Sequence, residues 1–342
     1  MANQRIGYRD AVARQPESLE IGRRAIEKTL GELDLGAFKG RSIGFAGIGA
    51  SYQAALAGAL YLRRLGTPSF AYVPTDLYDA VDSAAQAFVA LSASGQSREI
   101  ADVMTLRPHL PRIAVCRSPG TPLGGITGLE LGYEAGADNG ASSTGYTGML
   151  LAIGMLVDKL AGRGSPEIWR KLPGLVADVL HSQVQASEAA ASLLANRTSL
   201  DIVGAGAAFA TAGEAAMLIR EAVRVSAQGW DTLNYLHGPM ESQDSHTGVI
   251  VIGIGREMKI AADMPGFGIP SVLVTCATEV PPGPNVVIKV PDAGNEAAQA
   301  ILDIVAVQMI VGVMQDAANL TDITFRYRQT DTKLKPWSPT EV

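Results

Sequence analysis

The chain has 342 residues, of which 47% are hydrophobic and 18% charged, with a formal net charge of −6. That length and apolar content suit one large α/β unit or two domains with buried cores, and they exclude a disordered chain. The acidic balance, without any block of lysine or arginine, argues against nucleic acid as the partner.

A helix is expected over "PESLEIGRRAIEKTL", within an N-terminal helical segment of residues 1–32. The leading "MANQRIGYRD" lacks the apolar core of a secretory signal. A first strand, "SIGFAGIG" from Ser42, runs into a glycine turn and the helix "SYQAALAGALYLRRL". Gly47 and Gly49 invite a dinucleotide-binding reading, but Tyr52 occupies the place of the third glycine, where bulk obstructs helix–strand packing. The turn with Gly49 and Ser51 fits a contact to a sugar hydroxyl or phosphate, with a plain β–α turn capped by serine as the competing reading.

The next strand, "AFVALSAS" from Ala87, ends in "SASGQS" and a helix. The N–H groups at a helix start lack partners, and the helix dipole is positive there. Ser92, Ser94 and Ser97 add hydroxyls to that ring, which makes an anion site, most naturally for phosphate. The alternative is one N-cap serine in a polar loop. Strands "RIAVC" from Arg112 and "GLELGYEAG" from Gly128 follow, then a second hydroxyl-rich turn, "NGASSTGYTGM". There Ser142, Ser143 and Thr144 either cap a helix or line a polar bowl at the C-terminal edge of the sheet.

A second strand series consists of "LDIVGAG" from Leu200, "GVIVIGIG" from Gly248, "SVLVTC" from Ser271 and "NVVIKVP" from Asn285. Pairing Gly47 with Gly204, Leu91 with Ile252, Val115 with Val274 and Leu129 with Val286 gives offsets of about 157, 161, 159 and 157 residues. Near-constant offsets imply an internal duplication, and apolar strands alternating with helices imply parallel sheets flanked by helices. The expected fold is therefore α/β, doubly wound and flavodoxin-like or Rossmann-like. Its domains are expected at 33–165 and 185–320, with a helical linker at 166–184 and a tail at 321–342. The second copy reads "GIGREM" where the first reads "SASGQS", so the serine cluster is not a requirement of folding.

Among the remaining candidates, Glu221 stands in the apolar stretch "AAMLIREAVRV", where burial would raise its pKa toward that of a useful base. The competing reading is a solvated stripe shared with Glu214. His237 lies in "NYLHGPMES", a turn stiffened by Gly238 and Pro239, and a histidine there suits proton transfer. The spacing of His237, Glu241, Asp244 and His246 matches no zinc signature, so no metal and no cofactor is expected. Cys116 and Cys276 each close an apolar run and are read as buried, reduced thiols. The runs "MLLAIGMLV" and "IVAVQMIVGVM" are read as too short and interrupted to cross a bilayer, so a cytoplasmic protein without membrane contact is expected.

Taken in order, these stretches resemble the two-domain branch of the sugar isomerase (SIS) family. That branch includes the isomerase half of glutamine–fructose-6-phosphate amidotransferase, glucosamine-6-phosphate deaminases of this type and phosphosugar isomerases. "GIGAS" resembles the family's G-C-G-T-S, "SASGQS" its S-Q-S-G-E-T, "GASSTGYT" its V-A-S-T-K-A-F-T, "GEAAMLIRE" its E-G-A-L-K-L-K-E and "LHGP" its K-H-G-P. "YRDAVARQPESL" is similar to the family's first helix. The resemblance implies phosphate binding by Ser92, Ser94 and Ser97, and contacts from Ser51 and Ser142 to the sugar or its phosphate. It implies Glu221 as the base between C1 and C2, and His237 as the group that assists ring opening across a homodimer interface. It further implies an active-site lysine in the tail, where "FRYRQTDTKLKPW" leaves Lys333 and Lys335 as alternatives. No amidotransferase segment is expected before the isomerase-like part.

Ala93 replaces the family's phosphate-binding glutamine, and Leu218 replaces a lysine. The second change argues against amino-sugar synthesis and leaves an isomerase or deaminase of a sugar phosphate. A non-catalytic phosphosugar-binding protein is the chief alternative. A nicotinamide-dependent dehydrogenase is a weaker one, because its nearest ribose-binding acid, Asp76, sits in a proline-bounded loop.

Overall fold

The computed structural model describes residues 6–80, 83–164, 166–320, 325–327, 329 and 331–334. Two helices, α1 (Tyr8–Ala13) and α2 (Gln15–Glu32), lead into the first sheet. Its strands are β1 (Ile43–Ala46), β2 (Ser69–Tyr72), β3 (Ala87–Leu91), β4 (Arg112–Cys116) and β5 (Glu130–Gly132). They pair in parallel in the order β2-β1-β3-β4-β5. Between them lie α3 (Ala50–Arg64), α4 (Arg98–Thr105) and α5 (Pro122–Thr127), followed by α6 (Thr144–Leu160), α7 (Ile168–Ser182) and α8 (Val184–Leu194). The second sheet holds β6 (Ser199–Gly204), β7 (Ser226–Asp231), β8 (Gly248–Ile252), β9 (Ser271–Thr275) and β10 (Val286–Lys289), with α9 (Ala207–Leu218), α10 (Thr232–Tyr235), α11 (Arg256–Asp263) and α12 (Glu296–Ala317). Its strand order is β10-β9-β8-β6-β7, again all parallel. Counted from its own first strand, each sheet runs 2-1-3-4-5.

The inner strands β1, β3, β8 and β9 are buried at every position. Parallel strands covered on both faces read as continuous apolar runs, which is why "AFVAL" and "GVIVI" were legible. β2 and β7 were not foreseen. Both are edge strands with mixed exposure, "SFAY" and "SAQGWD", and neither gives an uninterrupted apolar run.

The two β–α turns repeat each other in detail. Gly49, before α3, has φ 61° and ψ −131°, and Gly206, before α9, has φ 60° and ψ −132°. A Cβ on Gly47 would lie 2.4 Å from the Ser51 carbonyl oxygen, and one on Gly204 would lie 2.6 Å from that of Ala208. Both turns need glycine for the left-handed residue and for the close approach of helix to strand.

The chain divides into two compact units: Met1–Glu20 with Gly136–Thr147 and Glu167–Thr324, and Ile21–Ala135 with Gly148–Pro166 and Phe325–Val342. The first, here the β6–β10 unit, has a core of Val203, Val251, Leu273, Ile260 and Met264. The second, the β1–β5 unit, packs Phe88, Ile100, Val103, Met104 and Leu123 together. Burying each such side chain contributes about 1.5–3 kcal/mol.

The run "IVAVQMIVGVM" belongs to α12, which at 22 residues is longer than the sequence reading allowed and apolar enough to span a bilayer. Some 83% of its apolar window is buried inside the fold, which makes it a core helix of its unit. Asn295 caps it by accepting from the N–H groups of Ala297 and Ala298. Cys116 is buried as expected, and burial pushes its thiol up to about 12, whereas Cys276 is only half-buried.

One of the carboxyls of α12 is buried. Asp303 accepts from Gln299 Nε2 at 2.9 Å, and burial pushes it up to about 7. Its folded pKa is raised above the unfolded value, so its contribution to stability is full below about pH 4 and is lost as the pH rises through 7. Asp303→Asn keeps an oxygen acceptor and removes the charge. Thermal unfolding should show the variant more stable than wild type at pH 8, by on the order of 3 kcal/mol, with the gap closing toward pH 4. A gap independent of pH would contradict this account.

Candidate functional site

The 2-1-3-4-5 order reverses its winding between the first and third strands, and at that point the turns after β1 and β3 flank a crevice. In the β1–β5 unit the crevice is a cleft of about 430 Å³, lined by Ile48, Ser51, Ser92, Ser94, Ser97 and Lys333, among others. The structure thus gathers four of the serines singled out in the sequence. Gly49 lies in the turn beside them but does not line the cleft.

Ser92 is buried, and its Oγ lies 3.0 Å from Ser97 Oγ. Ser94 Oγ accepts from the Gln96 N–H at 3.2 Å. Ser97 precedes α4 yet makes no side-chain cap bond, so the reading of a simple capping serine does not hold. The hydroxyls are turned on one another and on the cleft.

This arrangement depends on Gly95. Its φ is +63°, and a Cβ there would lie 2.2 Å from Thr121 Cβ. Thr121 is held in turn by Glu130, which accepts from the Gly120 N–H at 2.6 Å, from the Thr121 N–H at 3.2 Å and from the Thr121 hydroxyl. The Leu123 N–H donates to the Gly95 carbonyl at 3.1 Å. Thr121 and Glu130 were missed in the sequence because the cap of α5 and the first residue of β5 are joined only by folding.

The tail supplies the cation. Lys333 pairs antiparallel with Ser97, the Arg98 N–H donates to Thr332 O at 3.1 Å, and the Leu334 N–H donates to Gln96 O at 3.0 Å. Lys333 Nζ donates to Ser94 Oγ at 3.4 Å. Burial lowers its pKa, and Glu99 on the cleft wall partly offsets this. Of the two lysines left open by sequence, Lys333 lines the cleft, and Lys335 lies outside the described residues.

The other candidates belong to the β6–β10 unit. Asp138 organises the "NGASSTGYT" turn. It accepts from Ser142 Oγ at 3.0 Å, from the Ser143 N–H and Oγ at 3.0 and 2.8 Å, and from the Gly145 N–H at 2.8 Å. The serines therefore do not cap α6; Asp138 does. Nothing in "GADNG" distinguished it from a solvated loop acid.

Glu221 lies in a π-helical turn, Ile219–Val223, that continues α9 and ends at Arg224 in the left-handed region. Such turns in α-helices occur frequently at functional sites. Glu221 is half-buried, and burial pushes its carboxyl up to about 7. Glu214 is 1% exposed, so the two acids do not form a solvated stripe. Burial, then the charges of Glu221 and Asp138, hold Glu214 protonated well above the usual carboxylate range, and its Oε2 has no hydrogen-bond partner among the described residues. Leu218, in the family's lysine position, is fully buried. His237 is exposed on the loop after α10. Among the described residues, His237, Glu241, Asp244 and His246 do not form a cluster able to hold a metal ion.

No family model matches the chain. It is 26% identical over 253 residues to glutamine–fructose-6-phosphate aminotransferase (isomerizing) of Neisseria meningitidis serogroup B, a match covering 67% of this chain and 40% of the relative. It is 28% identical over 230 residues to the corresponding Arabidopsis thaliana enzyme 1, covering 63% and 34%. The chain thus spans about 40% of the length of the first of these curated relatives. In fold it is similar to the C-terminal domain of glucosamine-fructose-6-phosphate aminotransferase from Francisella tularensis, with a TM-score of 0.82 at 17% identity, covering 92% of this chain and 97% of that one. It also resembles tagatose-6-phosphate ketose/aldose isomerase from Escherichia coli, with a TM-score of 0.73 at 18% identity, covering 91% and 92%. Glucosamine-6-phosphate deaminase from Thermotoga maritima gives 0.67 at 18% identity, covering 89% and 94%. These likenesses bear out the resemblance to the sugar isomerase family and to the isomerase half of the aminotransferase.

Gly95→Ala tests the cleft's construction. The left-handed backbone and the contact with Thr121 should together cost about 2–4 kcal/mol in denaturant unfolding. A variant with wild-type stability would show that the turn does not depend on this residue.

Proposed function

We propose that the chain binds a sugar phosphate and moves a proton between its C1 and C2, as an aldose–ketose isomerase or an amino-sugar-phosphate deaminase. The observation that carries this reading is the cleft in which Ser92, Ser94, Ser97 and Lys333 converge at the start of α4. Hydroxyl donors, a helix N-terminus and one ammonium suit a phosphate group. Ser51 and Ser142 are proposed to contact the sugar or its phosphate, and Gly49 to hold the turn that presents Ser51. The two sheets are read as tandem sugar isomerase domains at 33–165 and 185–320. The shared strand order and the matching turns at Gly49 and Gly206 support that reading.

In this proposal the phosphate fixes one end of the substrate, which removes part of the entropic barrier. His237 assists opening of the sugar ring, supplied across a homodimer. Glu221 takes the proton from the carbon next to the carbonyl or imine and returns it to the neighbouring carbon through an enediol or enolamine. General acid–base help of this kind is worth about 10²–10⁴-fold. A carboxyl pushed up to about 7 matches the task, since it is ionised in part at neutral pH and gives the proton back readily. The apolar Leu218 beside the neutral Glu214 favours isomerisation or deamination over amino-sugar synthesis. The same Leu218, with Ala93 in place of the family's glutamine, is what favours the second reading, a phosphosugar-binding protein without turnover.

Two experiments test this. Binding of hexose and amino-hexose phosphates, followed by thermal shift, should weaken by more than about tenfold in the Ser94→Ala, Ser97→Ala double variant, because hydrogen bonds to a charged group are worth about 1.5–3 kcal/mol. Unchanged binding would remove the phosphate assignment. Glu221→Gln should retain binding and lose exchange of the C1/C2 proton with solvent deuterium. In the wild type that exchange should climb between pH 6 and 8, since the base acts only when ionised. A wild-type protein that binds a phosphosugar and never exchanges deuterium would leave the binding-protein reading in its place.

A further inference from the structure

Asp201 lies in β6 and is 7% exposed. Its two carboxylate oxygens have different partners. Oδ1 accepts from Trp230 Nε1 at 3.1 Å, and Oδ2 accepts from Gln243 Nε2 at 2.6 Å. Trp230 stands at the end of β7, and Gln243 follows the 3-10 turn Pro239–Ser242. Between them runs the segment that carries His237.

Tyr235 anchors the middle of that segment in the unit's core, with Leu236 and Met240 packed against it, and the segment's other hydrogen bonds are mainly short-range. Asp231 caps α10 through the N–H groups of Leu233 and Asn234. The His237 N–H donates to Asn234 O, and the Glu241 N–H donates to Gly238 O, both at 3.0 Å. Gly238 has φ +136°, a conformation that suits glycine. Thr232 Oγ1 donates to Glu257 Oε1 at 2.6 Å near the segment's start. The exposed His237 side chain makes no hydrogen bond to the described residues, so its position follows from the backbone that bears it.

We infer that Asp201 is a positioning residue whose carboxylate clamps both ends of segment 230–243 and thereby sets where the His237 imidazole stands. The inference rests on the role given to His237 above. A carboxylate in an otherwise apolar strand loses solvation, and the fold retains it with two donors aimed at it. Burial pushes the carboxyl up to about 6, against the bond from Trp230, which favours the charged form. The geometry also predicts which replacement is tolerated. Gln243 Oε1 is buried without a partner among the described residues. After a flip of the Gln243 amide, that oxygen can accept from the new side-chain amide of Asp201→Asn, whose own oxygen still accepts from Trp230. Asp201→Ala can do neither.

Hydrogen exchange read by mass spectrometry on the full-length protein tests this directly. In Asp201→Ala and Gln243→Ala, peptides covering 232–243 should exchange about tenfold faster, while peptides from β8 and β9 keep wild-type protection. Asp201→Asn should return most of the lost protection. In turnover assays the alanine variants should lose kcat on ring-forming sugar phosphates with little change in KM, and lose less on a substrate that cannot close a ring. Unchanged protection of 232–243 in Gln243→Ala, with β8 and β9 intact, overturns the clamp even if Asp201→Ala fails to fold. If wild type turns over no sugar phosphate, the functional reading falls, and the exchange data still decide whether Asp201 holds the segment.

Discussion

A parallel sheet wound 2-1-3-4-5 sends the connection after its first strand to one side and the connection after its third strand to the other. The two turns therefore part at the C-terminal edge and leave a gap that backbone alone does not fill. In the β1–β5 unit the gap lies between the Gly47–Ser51 turn and the Ser92–Ser97 turn, and the polar groups there depend on this separation. The helices contribute N-termini, the glycines let chains approach closely, and the side chains are supplied from segments distant in sequence. Thr121 and Glu130 brace the second turn from behind, and residues 332–334 close it along its edge.

The β6–β10 unit has the same reversal and uses it differently. Glu257, in the first turn of α11, turns inward, is 7% exposed and accepts from Thr232. A Cβ on Gly253 would meet the Glu257 side chain at 3.0 Å. A carboxylate packed against that turn opposes an anion where the other unit presents hydroxyls. One topology thus yields an anion-suited crevice in one unit and a braced turn in the other. The acids of functional interest in the β6–β10 unit, Glu214 and Glu221, lie away from its strand ends, along and beyond α9.

The repeated strands were readable because inner parallel strands must be apolar at every position, as "RIAVC" and "SVLVT" are. The same rule hid β2 and β7, whose outer edges face fewer neighbours and tolerate polar and aromatic residues. The serine cluster could be located, but whether its members cap a helix or face a cleft depends on rotamers, and Ser97 took the second course. Asp138 and Asp201 were passed over for opposite reasons. Asp138 sits among turn residues, where acids are common. Asp201 is a single acid in the strand "LDIVGAG", and its partners are 29 and 42 residues away. Glu214 looked like the exposed half of an amphipathic pattern, and its burial is set by packing that no local periodicity records. The run in α12 looked too short for a membrane because Gln308 interrupts it and Gln315 follows it, yet inside a core such side chains find internal partners, as Gln308 does in Gln15.

The pairing of Ser97 with Lys333 has a consequence for how the molecule is made. The contact between Lys333 and Ser94 spans 239 positions of sequence. On the ribosome, the sheet from β1 to β5 can finish long before Lys333 has been synthesised. During that interval the serine turn is present without its ammonium or the backbone bonds from residues 332 and 334. The cleft therefore gains this part of its lining only once Lys333 has emerged, and a nascent chain stalled earlier carries the scaffold without it.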